Sequence, residues 1–356
     1  MTPATSRKIY IGIGLVVAAI IGFLVYLMDN MEKNENIAND GQSTDNINSS
    51  SLPLVQTIQL PNVSGRIDHM DIDLNGQRLF VAELENNSLD VLDLKEGKRI
   101  HPIIGLHEPQ GVVFIPDVNR IVIANDGDGT VQIFDSETYS LIKTISLSSD
   151  ADNVRYEPSQ KLVYVGYGNG GIAIIDPVKG ELINIIKLDG HPESFQISDE
   201  LQPSIFVNVP ESNSIEVIDS QNRTVVTKWM NDRASGNYPM TLDEDSHRLF
   251  VVYREPSELH VIDTGSGKVI ASLAVSGDPD DIFYDAENKQ IYVSEGQGFI
   301  DIISEQGDDY HEISKIPTEN GARTSLFVPQ LNRFYVAIPD YGDGAKIQVF
   351  ETHKIQ

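Results

Sequence analysis

Leu79-Phe80-Val81-Ala82, Ile121-Val122-Ile123-Ala124, Val163-Tyr164-Val165-Gly166, Ile205-Phe206-Val207-Asn208, Leu249-Phe250-Val251-Val252, Ile291-Tyr292-Val293-Ser294 and Phe334-Tyr335-Val336-Ala337 are seven copies of one short aromatic and β-branched run. Their central positions, 81, 123, 165, 207, 251, 293 and 336, are separated by 42, 42, 42, 44, 42 and 43 residues. A near-constant period of this length marks the blades of a propeller. Around each copy lie three more strand-like runs. In the third unit the four are Asn153–Tyr156, Leu162–Gly166, Ile172–Asp176 and Leu182–Leu188, with turn residues between them. The inner runs are apolar on both faces, as a sheet sandwiched between two others requires.

The count of outer runs tests the number of blades. They occur near Ile100–Leu106, Leu141–Leu147, Leu182–Leu188, Thr224–Met230, Val269–Val275 and His311–Ile316, and the seventh unit ends at Lys346–Phe350 without one. Leu54-Val55-Gln56-Thr57-Ile58-Gln59-Leu60 reads like Leu141-Ile142-Lys143-Thr144-Ile145-Ser146-Leu147 and supplies the missing strand from the other end of the chain. The expected fold is all-β: a seven-bladed β-propeller over residues 53–356, closed by an N-terminal strand and preceded by one transmembrane α-helix.

That helix is expected at Ile9–Met28, a run of 20 uncharged, mostly apolar residues. It would extend roughly 30 Å, about one hydrocarbon core. Arg7 and Lys8 precede it and Asp29, Glu32 and Glu35 follow, so residues 1–8 are expected in the cytoplasm and the propeller outside it, in the periplasm or at the cell surface. The rival is a cleaved signal peptide, but its apolar region is usually shorter and ends in small residues. Residues 29–52, rich in Asn, Ser, Asp and Glu, form the expected disordered tether. Asn48, Asn62, Asn86 and Asn222 stand in glycosylation sequons.

Acidic residues number 53 against 26 basic, a formal net charge of −27. Such a surface repels phosphate backbones, so nucleic acid is not an expected partner. The absence of cysteine excludes disulfides, thiolate metal sites and cysteine nucleophiles. No Gly-x-Ser-x-Gly elbow or His-Glu-x-x-His stretch is present. Five third strands end in Asp (Asp93, Asp135, Asp176, Asp219 and Asp263), where a carboxylate can cap the following turn.

Arg66-Ile67-Asp68-His69-Met70, Asp150-Ala151-Asp152-Asn153-Val154-Arg155, Gly190-His191-Pro192-Glu193-Ser194, Phe206-Val207-Asn208-Val209-Pro210 and Ala322-Arg323-Thr324-Ser325-Leu326 carry a family resemblance. The repeats resemble the YVTN repeat family, and Arg66 to Glu351 is similar to the YncE-like propeller proteins. The resemblance implies the propeller fold and surface, periplasmic or binding roles. One branch resembles single-stranded DNA binders, a role that the acidity here opposes. No uniform activity is implied.

The innermost strands begin at one mouth of the central channel. Aligned on Ile72, Phe114, Tyr156, Ile197, Leu242, Tyr284 and Phe327, they place Asp68, Gln110, Asp152, Glu193, Tyr238, Asp280 and Arg323 at one phase. His69, Asn153 and Asp281 follow at the next, and His107 and His191 lie just before two of the segments. A structural repeat does not require such varied polar residues at one phase. Asp68, His69, Gln110, Asp152, Asn153, His191, Glu193, Tyr238, Asp280, Asp281 and Arg323 are therefore the candidate ligand-binding set. Converging carboxylates repel unless a cation offsets them. Arg66, Arg155 and Arg323 are candidates for that, and so is a divalent cation, Ca²⁺ or Mg²⁺, held by Asp68, Asp152, Glu193 and Asp280. A hydrated polar channel without ligand is the plain alternative. Three imidazoles, His69, His107 and His191, could hold a transition metal instead. The loops after the second strands, carrying Glu83, Asn125, Tyr167, Asn208, Arg254, Glu295 and Asp340, are expected near the mouth or its rim. Asn125-Asp126-Gly127-Asp128-Gly129 lacks the calcium-loop spacing and reads as a Gly-rich hairpin.

Two functions fit. One is a membrane-anchored module that binds a small molecule or a surface protein. The other is a divalent-metal-dependent hydrolase of the lactonase type, by analogy with gluconolactonase-class propellers, in which Asp68 or Glu193 would be the general base.

Overall fold

The computed structural model describes residues 52–198 and 204–352. They form seven four-stranded antiparallel sheets. In blade three the strands are Ala151–Glu157, Leu162–Tyr167, Gly171–Asp176 and Glu181–Lys187. The sequence placed all four, each to within two residues at either end. Residues 9–28, expected to cross a membrane, lie outside the described residues, among which no helix is long and apolar enough to do so. Residues 29–51 of the expected tether are outside them too. Its last residue, Leu52, is buried against the aromatic cluster shared by blades six and seven.

Seven apolar clusters fill the spaces between neighbouring blades, and together they close the ring. Phe80 and Val91 of blade one meet Phe114 and Ile123 of blade two. Tyr164 and Ile174 of blade three meet Phe195 and Val207 of blade four. Ile58 and Leu60 join Leu79 and Val81 to Tyr335 and Ile347 where the ring ends meet. This is why the second and third strands are apolar on both faces: each lies between two sheets. The outer strands carry solvent on one side, as in Glu181–Lys187, where only Ile186 is buried.

The last blade has the order predicted from the strand count. Leu54–Gln59 pairs antiparallel with Lys346–Glu351, Ile58 opposite Ile347 and Gln59 opposite Lys346. The Leu60 amide donates to the Ala345 carbonyl at 2.9 Å, extending the ladder. The strand covers what would otherwise be a free sheet edge.

The repeated Asp at the end of the third strand is structural. Asp93, Asp135, Asp176, Asp219 and Asp263 each accept a backbone amide two or three residues on, at 2.8–3.0 Å. Those turn hydrogen bonds hold Asp135, Asp176 and Asp219 below the ordinary carboxylate value.

Blades one and two are also joined by a polar staple. Arg78 donates from Nε and Nη2 to Asp73 Oδ2 at 3.0 and 2.7 Å, and from Nη1 to the Ser136 carbonyl at 2.5 Å and to the Tyr139 hydroxyl at 3.1 Å. Its guanidinium lies 5.6 and 5.9 Å from the ring centres of Phe80 and Phe114. An ammonium cannot reproduce that fork or the stacking. Arg78→Lys is expected to cost about 1–3 kcal/mol in urea unfolding. A loss no larger than that of an exposed Arg→Lys control would show that the staple is idle.

Candidate functional site

The eleven residues singled out by the repeat phase converge. Asp68, His69, Gln110, Asp152, Asn153, Glu193, Tyr238, Asp280 and Asp281 line a channel cavity of about 530 Å³. Arg323 and His191 join five of them around an adjoining cavity of about 280 Å³ at the mouth. The repeat explains this directly, because the same position of each innermost strand begins at the same height around the channel. Close approach of neighbouring strands helps: a Cβ on Gly111 would lie 2.1 Å from the Asp152 carbonyl oxygen, so only glycine lets blade two come so near blade three.

The mouth is electrostatically two-sided. On one side carboxylates are paired with arginines. Arg66 Nη2 lies 2.7 Å from Asp68 Oδ2. Arg323 reaches Asp278 at 2.9 Å and Asp280 at 3.2 Å, and Arg254 Nη2 reaches Asp280 Oδ1 at 2.5 Å. The Arg254 guanidinium also lies 3.7 Å from the ring centre of Tyr238, a cation–π stack. The backbone of Tyr238 is held by buried Asn208, whose Nδ2 donates to the Tyr238 carbonyl at 2.9 Å. Burial still keeps Asp280 above the usual carboxylate range, the arginines opposing it.

On the other side Asp126, Asp150, Asp152 and Glu193 line the mouth together with His191. Among the described residues no arginine or lysine forms an ion pair with these four. His191 Nδ1 is 2.8 Å from the Gly168 carbonyl and 3.1 Å from Asp150 Oδ2, while its Nε2 faces Asp152 Oδ2 at 3.8 Å. Asp152 is 6% exposed and its Oδ1 meets no hydrogen-bond donor. Burial and the charge of Asp152 push Glu193 up to about 8. Burial alone would lower His191, but the neighbouring carboxylates of Asp152 and Asp150 lift it to about 9. Asp150 is raised to about 6 by burial and by Asp126.

Deeper in the channel, His69 Nε2 is 3.2 Å from Asn153 Nδ2, and Asp281 Oδ2 accepts the Ser325 amide at 2.7 Å. Burial raises Asp281 to about 7. Burial lowers Arg155, although it lies in the field of Asp281, Asp71 and Asp152.

Several expectations are redrawn. Of the four carboxylates considered as ligands of one cation, Asp68 and Asp280 are taken up by arginines, and only Asp152 and Glu193 converge, with His191 as third member. His69, His107 and His191 do not meet. His107 is exposed beside Asp128, and His69 belongs to the deeper set. Of the seven residues placed after the second strands, only Arg254 lines the mouth cavity, while Glu83, Asn125, Asn208 and Glu295 are fully buried. Asn125–Thr130 closes a hairpin, and its Asp126 reaches the mouth. Asp126, read as part of a Gly-rich hairpin, and Asp150 join the site from outside the candidate set. The signal for Asp150 was its place two residues before Asp152 in the same segment.

Fold and mouth together define a seven-bladed β-propeller with a polar, two-sided channel entrance. The chain is 21% identical to the YncE protein of Salmonella typhimurium over 235 residues, 61% of this chain and 65% of that protein. The YncE protein of Salmonella typhi matches equally, so the chain spans about 65% of the length of these relatives. A WD repeat-containing protein of Synechocystis is 31% identical over 99 residues, 28% of this chain and 26% of that one. No family model matches the chain. Among solved structures, a chain of the hydrazine synthase of Kuenenia stuttgartiensis superposes with a TM-score of 0.72 at 18% identity, covering 83% of this chain and 99% of its own. A chain of a mitotic checkpoint complex does so with a TM-score of 0.72 at 13% identity, covering 85% and 93%. At these identities the likeness concerns the fold alone.

Proposed function

We propose that the chain is an extracytoplasmic, membrane-anchored capture module that binds a small molecule or an exposed group of a surface protein at the channel mouth. The observation that carries it is the two-sided mouth: arginines 66, 254 and 323 face Asp126, Asp150, Asp152 and Glu193 across one cavity. That distribution suits a ligand with an anionic group at one end and a cationic or metal-bound centre at the other. The anchor expected at Ile9–Met28 and the outward orientation implied by Arg7 and Lys8 support display outside the cytoplasm. The net charge of −27 weighs against nucleic acid as the ligand.

Calorimetric titration of the full chain with a panel of amino acids, short peptides and betaines tests this. Arg254→Ala and Glu193→Gln are each expected to weaken the best ligand about tenfold or more, the loss of one charge-assisted contact. Ligands that bind the two variants as tightly as the parent would place capture elsewhere.

A second function, lactonase-type hydrolysis, is favoured by one feature: Asp152, His191 and Glu193 offer ligand atoms within 4.8 Å of one another. A divalent cation there would polarise a lactone carbonyl and acidify a bound water. Glu193 could be a ligand or a base but not both, and Asp68, tied to Arg66, is a poor base. Turnover of lactones by the cation-loaded chain, abolished by chelation, separates this from capture.

A further inference from the structure

We infer that Asp152, His191 and Glu193 form a three-ligand site for a divalent transition cation of the zinc class, with its remaining coordination positions open to the mouth. The inference takes its location from the capture function above and nothing else.

The donor set comes first. One ligand atom from each of the three lies within 4.8 Å of the others. His191 Nε2 and Asp152 Oδ2 are 3.8 Å apart, too far for a hydrogen bond. Two ligands of one zinc-class ion, with bonds of roughly 2.0–2.2 Å, stand a little over 3 Å apart, so a small rotamer adjustment closes the set. The second observation is independent of the clustering. Asp152, which lines the cavity, is 6% exposed, and its Oδ1 is a buried acceptor without a donor in the protein. A buried, unpaired carboxylate oxygen is costly unless something outside the protein pairs it.

The third observation is the support behind the ligands. His191 Nδ1 faces the Gly168 carbonyl at 2.8 Å and Asp150 at 3.1 Å, which turns Nε2 towards Asp152. Metal-binding histidines use their second nitrogen in this way, on a carbonyl or carboxylate. The segment is held in place: the Glu193 amide donates to the Asn208 carbonyl at 3.0 Å, and a Cβ on Gly166 would lie 3.2 Å from Pro192.

The composition selects the ion. Imidazole with carboxylates suits zinc, iron or nickel, whereas Ca²⁺ needs roughly six to eight oxygens. Of the other carboxylates at the mouth, Asp68 and Asp280 are committed to arginines and Asp150 to His191 Nδ1, which leaves Asp126, with too few oxygens to complete a calcium shell. Three protein ligands leave positions for an oxygen of an incoming molecule, opposite Arg254 and Arg323.

The full chain in detergent, stripped by a chelator, is dialysed separately against Zn²⁺, Co²⁺, Ca²⁺ and Mg²⁺ and assayed for bound metal. Expected are one Zn²⁺ or Co²⁺ per chain, a visible Co²⁺ spectrum with nitrogen and oxygen ligation, and no stoichiometric Ca²⁺ or Mg²⁺. Asp152→Asn and His191→Ala should each weaken Zn²⁺ about 100-fold, and Asp150→Asn about tenfold. Glu193→Gln serves in place of any variant whose metal-free unfolding temperature collapses. The inference is overturned if Zn²⁺ does not saturate, if both ligand variants bind it like the parent, or if Ca²⁺ binds more tightly. Capture of ligand by a chain that takes up no Zn²⁺ on dialysis overturns the metal and leaves capture standing; metal binding without capture does the reverse.

Discussion

Ile58→Asp is expected to open the ring and lower stability by about 4 kcal/mol or more in urea unfolding. Ile58 is fully buried and packs with Leu79, Leu92 and Tyr335 in the cluster that joins blades one and seven. The substitution deletes that packing and puts an unpaired carboxylate in its place, and either change alone is severe. The strand that carries it is covalently continuous with blade one and hydrogen-bonded to the last strand of blade seven, so it ties the two ends of the ring together. Releasing it uncovers the edge of Lys346–Glu351, a template for association with other chains. Ile58→Asp should therefore aggregate on mild heating while Val55→Asp, at an exposed position of the same strand, does not. Parent-like unfolding of Ile58→Asp would mean that the seventh blade holds without its borrowed strand.

The same packing explains what could be read from sequence. Second and third strands lie between two sheets, so Phe80, Tyr164, Phe250 and Tyr292 have no freedom to become polar and the period stays visible. The missing outer strand of the last unit fixed the blade count before any contact was known. The mouth was legible for a related reason: one phase of a repeat maps to one height in the channel, so Asp68, Asp152, Glu193 and Asp280 had to lie around the same channel. Their partition was not legible. Whether Asp280 meets a cation or an arginine depends on the reach of Arg254 and Arg323 from other blades, and no periodicity records side-chain reach. Glu83 and Glu295 were misplaced at the rim for the same reason. Their positions are strand ends, but each meets a carboxylate placed diagonally on the third strand, Asp90 for Glu83 and Asp301 for Glu295.

Those two glutamates make stability fall as pH rises through neutrality. Glu295 and Asp301 are both fully buried. Asp301 accepts the Ser276 amide at 2.8 Å and lies 3.4 Å from Lys315. Burial, reinforced by Asp301, pushes Glu295 up to about 10, and burial with Asp90 pushes Glu83 up to about 8. A carboxyl raised in the native state holds a proton that the unfolded chain gives up near the ordinary value of 4.5. Its contribution is thus complete below that value and is lost as pH rises towards the native one, at about 1.4 kcal/mol per pH unit for each proton. From pH 5 to 8 Glu295 alone accounts for about 4 kcal/mol of lost stability. On the acid side the slope reverses. Asp135, Asp176, Asp219 and Asp263 are held low, and what they contribute is lost as pH falls below the ordinary value of 3.8. The maximum should therefore lie on the acid side of neutrality. Glu295→Gln keeps an amide donor towards Asp301 and cannot ionise. It should match the parent near pH 5, exceed it at pH 8, and remove part of the slope between them, Glu83, Glu193, Asp281 and His191 contributing the rest. Urea midpoints at four pH values read this, and parallel curves for parent and variant would show that the pair carries no shared proton. Glu295 pairs across the strands with Pro279, immediately before Asp280. Ionisation at high pH should therefore loosen the strand that carries part of the mouth, and amide exchange in Pro279–Asp285 should quicken in the parent and stay slow in Glu295→Gln.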